Sequence, residues 1–289
     1  MNSKRSIALG SFDGLHRGHK AVLDRALSFA GPGCRPCVLL LEPAPAQALG
    51  KASAGLLMSF EDKRRELEKR GLEVVVVDFL SVKDLPPQDF FEQILCEQLS
   101  AGVLSCGFNY HFGAGGSGNA ALLRTLCQQN GVLLQQIEPQ TFEGELVSST
   151  AVRQALEQGD VPRAEKLLGH PYGYRFEVVH GDHIGGRLLN CPTINQLFPA
   201  EMLVPKYGVY ASQTLLDGVW RRSVTNIGCR PSFESNEQRS ETHIIGFDGD
   251  LYGQLIEVRL CRYKRGERRF DSLEALKQQL IADRLPDGM

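Results

Sequence analysis

A chain of 289 residues can form one large domain or two of ordinary size, and 42% apolar with 23% charged residues excludes disorder as a description of the whole. Its 32 basic and 34 acidic side chains leave a formal charge of −2, so no nucleic-acid partner is expected. No apolar run reaches bilayer-crossing length and the polar start MNSKR is not followed by a hydrophobic signal segment, which predicts a cytoplasmic protein without a membrane partner.

In chain order, the apolar run Ile7 to Leu9 predicts a strand that ends in a glycine-punctuated turn. A helix carrying Leu23, Ala26 and Leu27 follows, with His16 and His19 where it should start. A helix N-terminus with free N–H groups suits a phosphate, and glycines at 10, 14 and 18 let a bulky anion approach. The residues alone also fit a glycine-rich turn with two solvent-facing histidines. Cys37 to Leu41 predicts a second strand, Ser59 caps a helix over Phe60 to Arg70, and Val74 to Val77 reads as the plainest buried parallel strand. A helical run Asp89 to Leu99 and a strand Val103 to Cys106 lead into the glycine-rich loop Gly107 to Asn119. A helix Ala120 to Asn130 and a strand Val132 to Gln136 complete a doubly wound α/β domain.

Ser148, Ser149 or Thr150 caps the next helix, which carries Arg153 in its first turn. Hydroxyls and a guanidinium at a helix start suit phosphate, although an ordinary cap with a solvated arginine fits as well. Helical periodicity stops near Leu168, and the boundary is placed between 1–168 and 169–289. Short alternating segments, Tyr174 to Val179, Gly208 to Thr214, Arg222 to Asn226, His243 to Gly246 and Gln254 to Arg262, predict an antiparallel barrel closed by a helix with Leu273, Leu276, Leu280 and Ile281. Of the eight scattered cysteines Cys34 and Cys37 have ligand-like spacing, but no second close pair completes a zinc site, which predicts reduced, mostly buried thiols.

Two constellations stand out in the second half. Thr193 and Asn195, two residues apart on an extended segment, offer hard oxygen donors of the kind Mg²⁺ accepts beside phosphate; a local β-turn is the alternative. Glu241 opens the apolar segment ETHIIG and can hold a substrate hydroxyl, unless it is a solvated strand-end glutamate.

Taken together, GSFDGLHRGH, GFNYHFGAGGSGN, VSSTAVR, CPTIN, ETHIIGFDGDLYG, VTNIGCRPSF and RGERRF resemble, in order, the segments of the bacterial bifunctional riboflavin kinase/FMN adenylyltransferases, also called bifunctional FAD synthetases. The resemblance implies a Rossmann-like HIGH-type nucleotidyltransferase domain followed by a six-stranded riboflavin kinase β-barrel with a C-terminal helix. It implies two reactions drawing on ATP and Mg²⁺: riboflavin to FMN, then FMN to FAD. It assigns His16, His19 and Arg153 to charge stabilisation in adenylylation, and Gly10, Phe12, Asp13, Gly14, Gly18, Asn109, Ser148, Ser149 and Thr150 to nucleotide binding. In the kinase it makes Glu241 catalytic, gives Thr193 and Asn195 ATP phosphate and Mg²⁺, and adds Gly181, Gly185, Arg187, Arg265 and Glu267 as binding residues. Small-molecule flavins and ATP are the implied partners, and a monomer is compatible with the sequence.

The chain departs from that pattern at two places in the first domain. Ala44 stands where the family has an imidazole and Gly116 where it commonly has an arginine. A charge-assisted hydrogen bond missing from the transition state costs about 1.5–3 kcal/mol. The alternative reading is therefore a riboflavin kinase whose adenylyltransferase domain is weak or inactive, with a non-enzymatic flavin- or nucleotide-binding regulator further behind. Asn190, Cys191 and Ile194 alter the kinase motif in shape more than in charge.

Overall fold

The computed structural model describes residues 3–50, 55–180, 192–231, 236–268 and 270–285. It packs as two units, Met1–Ala54 with Met58–Ser149, and Gly55–Leu57 with Thr150–Met289.

The first unit is built on a five-stranded parallel sheet in the order β3-β2-β1-β4-β5. These strands are β1 (Lys4–Leu9), β2 (Cys34–Glu42), β3 (Glu73–Asp78), β4 (Ala101–Gly107) and β5 (Leu133–Ile137). Ile7, Ala8, Cys37, Val38 and Leu104 are fully buried, as continuous apolar runs must be when both sheet faces are covered. The expectation for Val74 to Val77 is corrected: β3 is an edge strand, and Val76 is 44% exposed. Its composition matches a central strand, but lateral position depends on which neighbours pair with it.

Helix α1 (Arg17–Leu27) buries Val22, Leu23 and Ala26. Helix α2 (Phe60–Lys69) starts at Ser59, whose Oγ accepts from the Asp62 N–H at 3.2 Å. The expected helix over Asp89 to Leu99 becomes a π-helical segment at Phe90–Gln98, ending where the Leu99 N–H donates to the Ile94 carbonyl at 3.0 Å. Helix α3 (Ala120–Gln129) follows the glycine-rich loop, which folds a two-residue hairpin, His111–Phe112 against Gly118–Asn119.

Beyond its Gly55–Leu57 segment, the second unit takes in α4 (Ser149–Gln158) from Thr150 on and α5 (Val161–Leu168), and continues as a closed six-stranded antiparallel barrel. Its strands are β6 (Gly173–Val179), β7 (Ile194–Leu197), β8 (Gly208–Leu216), β9 (Val219–Pro231), β10 (Asn236–Ile244) and β11 (Leu255–Arg265), in the order β6-β7-β10-β9-β8-β11. Val178, Ile194, Leu216, Ile244 and Ile256 fill one part of the interior. Another part is polar: Ser212 bonds Ser223 and Thr225, and Thr225 bonds Thr242, each at 2.8 Å. Burial of these hydroxyls is tolerated because each finds a partner.

Two further expectations change. The segment His243 to Gly246 is a turn from Ile245 onward, and the strand it belongs to begins at Asn236, so Glu241 lies inside β10 rather than at its start. The closing helix α6 (Leu273–Arg284) starts at the Ser272 cap, but Ile281 of its expected apolar stripe is 52% exposed. What anchors it is polar: Asp283, 4% exposed, takes a forked ion pair from Arg265 at 2.6–3.2 Å. The described cysteines are all free; Cys37, Cys106 and Cys127 are buried, whereas Cys261 is exposed. Burial pushes the Cys37 thiol up to about 12.

Candidate active sites

The first site forms where β1 ends. Phe12 (φ 53°) and Leu15 (φ 46°) adopt left-handed backbone around Gly14, bending the chain so that α1 starts immediately beyond the sheet. His16 caps α1: its Nδ1 accepts from the His19 N–H at 3.2 Å, so a neutral His16 ring carries its proton on Nε2. The two imidazoles stack with centroids 3.6 Å apart, and Phe12 meets His19 edge-on at 5.3 Å. His16 is only 7% exposed, which rules out the solvent-facing reading for it, and His19 is partly buried. Gly18 gives this packing room, since a Cβ there would lie 3.1 Å from the His16 ring and crowd it.

Burial lowers the His19 pKa well below its ordinary value, with further lowering from His16 and Lys63. Lys63, on α2, is 6% exposed and donates from Nζ to the Ser11 carbonyl at 3.1 Å. Asp13 is 5% exposed, and its carbonyl accepts from Ser149 Oγ at 3.0 Å. The structure thus brings Gly10, Phe12, Asp13, Gly14, His16, Gly18, His19 and Ser149 into one neighbourhood. Asn109 is exposed in the loop beyond β4, the strand next to β1. Ser148 lies just before α4, and Thr150 and Arg153 lie in its first turns; Arg153 Nε donates to the Gly55 carbonyl at 2.8 Å.

The second site is a row of side chains on the outer face of the barrel. Asn195 of β7 pairs across the ladder with Glu241 of β10, and Glu241 pairs in turn with Asn226 of β9. Directly opposed residues project to the same side, so the three form a polar strip across three strands. Asn195 is 7% exposed and Glu241 half-buried, which excludes the solvated strand-end reading of the glutamate. Asn226 Nδ2 donates to Glu267 Oε1 at 3.3 Å, and Gly228 leaves the room that this carboxylate occupies. Arg265 is directed elsewhere, to Asp283. The Pro192 carbonyl bonds the His243 ring at 2.9 Å, fixing the approach of Thr193 to β7.

Thr193 also lines a cavity of about 320 Å³ with Val178, Ile194, Phe247, Leu251 and Tyr252. At its rim the His180 and Tyr252 rings stack at 4.0 Å. Gly181, Gly185 and Arg187, and with them Asn190 and Cys191, lie outside the described residues. Among the described residues no group of three or more His, Cys, Asp or Glu side chains is placed to hold a metal alone. The donors at hand, the Thr193 hydroxyl and the Asn195 amide oxygen beside the Glu241 carboxylate, fit a Mg²⁺ that also takes substrate phosphate oxygens.

Comparison with known proteins matches residues 1–151 to the FAD synthetase family model and residues 168–285 to the riboflavin kinase model. A bifunctional riboflavin kinase/FMN adenylyltransferase of Escherichia coli is 36% identical over 287 residues, covering 96% of this chain and 90% of that one. The chain belongs to the bifunctional riboflavin kinase/FMN adenylyltransferase family.

A second family member, from Haemophilus influenzae, is 34% identical over 284 residues and covers 96% of this chain and 91% of its own. A solved structure from Streptococcus pneumoniae, described as a macrolide-efflux protein, superposes with a TM-score of 0.85 at 29% identity, covering 98% of this chain and 92% of that one. No helix among the described residues of this family member is long and apolar enough to cross a membrane.

Sequence reasoning missed Lys63, His243 and Asn226. Lys63 sits beside seven other charged residues in the ten of α2, where nothing distinguishes the buried cation from its solvated neighbours. Asn226 and His243 gain meaning only from the cross-strand register with Glu241 and the bond to Pro192.

Proposed function

We propose that the protein phosphorylates riboflavin to FMN in its barrel and adenylylates FMN to FAD, with release of pyrophosphate, at the end of its parallel sheet. The observation that carries the kinase reading is the opposition of Asn195 and Glu241 beside the cavity lined by Thr193. Family membership over almost the whole chain supports both activities.

In the kinase, Glu241 orients the ribityl 5′-hydroxyl and takes its proton as the oxygen bonds to the γ-phosphorus and ADP departs. Thr193 and Asn195 hold the phosphate end of ATP. These two residues would hold a Mg²⁺ together with the phosphates, and that ion would supply neutralisation of the charge on the transferring group. The apolar side chains Val178, Phe247 and Leu251 of the cavity, which Asp248 and Asp250 also line, suit the base of the nucleotide, and Glu267 with Asn226 suits the flavin side.

In the adenylyltransferase, a phosphate oxygen of FMN bonds to the α-phosphorus of a second ATP, and the bond to pyrophosphate breaks. His16 and His19 at the α1 N-terminus, with Arg153, stabilise the charge on the phosphates; no protein nucleophile is needed. Gly10, Phe12, Asp13, Gly14 and Gly18 shape the cradle, and Asn109, Ser148, Ser149 and Thr150 complete the phosphate contacts. Residues 1–168 are assigned to this activity and 169–289 to the kinase, a division supported by family-model matches over 1–151 and 168–285.

A pair of variants tests the assignment. Glu241→Ala is expected to abolish most FMN formation and leave FMN-to-FAD conversion intact; His19→Ala is expected to do the reverse. Equal loss of both activities in either variant contradicts it.

A further inference from the structure

Lys63 is a buried cation to which no role in either reaction has been given above. An ammonium with 6% exposure is costly to hold unless it is bonded and paired. Here it bonds the Ser11 carbonyl at 3.1 Å; burial lowers its pKa below the usual lysine value, and the negative charges of Asp13 and Glu42 oppose that lowering. The histidine pair also belongs to its neighbourhood: the charge of Lys63 adds to the lowering of the His19 pKa, and the rings of His19 and His16 are stacked. His19 Nδ1 is itself buried, with no hydrogen-bond partner among the described residues. Lys63 therefore lies between the end of β2, where Glu42 leads to Ala44, and the turn that carries both imidazoles.

We propose that Lys63 is a positioning residue for FMN adenylylation: its ammonium ties the Ser11–Asp13 turn to α2 and so holds a buried cation against the turn that leads to His16 and His19. The proposal rests on the adenylyltransferase reading of the first unit. It gives this chain a cation near the strand end at which its imidazole is replaced by Ala44. It also gives His19 a defined state. Burial, with His16 and Lys63 adding to it, disfavours imidazolium, so His19 meets phosphate as a neutral hydrogen-bonding ring while Lys63 supplies the field.

The test combines histidine-selective NMR titration of the substrate-free protein with flavin assays on the same samples. In Lys63→Met, His19 is expected to titrate at higher pH than in the wild type. FMN-to-FAD kcat is expected to fall about tenfold or more, with its acid limb moved to higher pH. Riboflavin phosphorylation is expected to stay within about twofold. Lys63→Arg, which keeps the charge, is expected to restore the titration and most of kcat; should Lys63→Met not fold, Lys63→Gln takes its place. An unshifted His19 titration, or an unchanged adenylylation kcat, overturns the proposal. A wild-type protein that makes no FAD sinks the adenylyltransferase reading instead, and the NMR arm still decides whether Lys63 sets the charge state of His19.

Discussion

Asn195 and Glu241 face each other across the β7–β10 ladder, one buried to 7% exposure and the other half-buried, on the outer wall of the barrel. That pairing puts an amide oxygen and a carboxylate side by side, the arrangement needed to hold a metal-bound phosphate next to an attacking hydroxyl. Asn195→Ala should raise the Mg²⁺ concentration for half-maximal FMN formation by about tenfold. The same variant should leave the Mg²⁺ dependence of FMN adenylylation unchanged, which steady-state assays over a Mg²⁺ series would read.

Glu241→Gln preserves shape and hydrogen bonding while removing the proton acceptor. Riboflavin kinase kcat is expected to fall by about 10²- to 10⁴-fold with little change in the riboflavin KM. A raised KM at unchanged kcat would show that Glu241 only binds the flavin.

The depressed His19 pKa makes a statement about acid stability. A histidine that is neutral when folded but has an ordinary pKa of about 6.5 when unfolded binds fewer protons in the native state. Stability contributed by its neutrality is present above the unfolded value and is lost as pH falls below it. Urea denaturation should thus find the wild type less stable at pH 5.5 than at pH 7.5, and His19→Asn should show a smaller difference.

The Arg265–Asp283 pair fastens α6 to β11, and both side chains are largely buried, at 12% and 4% exposure. Asp283→Ala leaves Arg265 without its carboxylate and is expected to cost about 3–5 kcal/mol in urea unfolding. Replacing both, Arg265→Met with Asp283→Leu, should recover most of that loss.

The sequence exposes the alternation of apolar runs and caps well, and the structure follows it at β1, β2, α1 and the Ser59 cap. It conceals what depends on neighbours. Val38 and Val76 sit in equally apolar runs, yet one is fully buried between strands and the other lies on an edge at 44% exposure. β7 escapes because its polar Gln196 points inward, where its Nε2 donates to the Phe176 and Ile256 carbonyls at 2.7 and 2.8 Å. The motifs locate Glu241 and Asn195 separately, but only the antiparallel register reveals that they are opposed and that Asn226 continues the row. Lys63 is hidden for the same reason, since its burial is set by the Ser11–Asp13 turn far away in sequence.

The most direct test of two activities in one chain is a time course with purified protein, riboflavin and MgATP, resolved by chromatography. FMN should appear first and FAD should follow from it, with Ala44 and Gly116 slowing the second step without abolishing it. FMN that accumulates without FAD, even at high enzyme, would contradict the account and leave a riboflavin kinase alone.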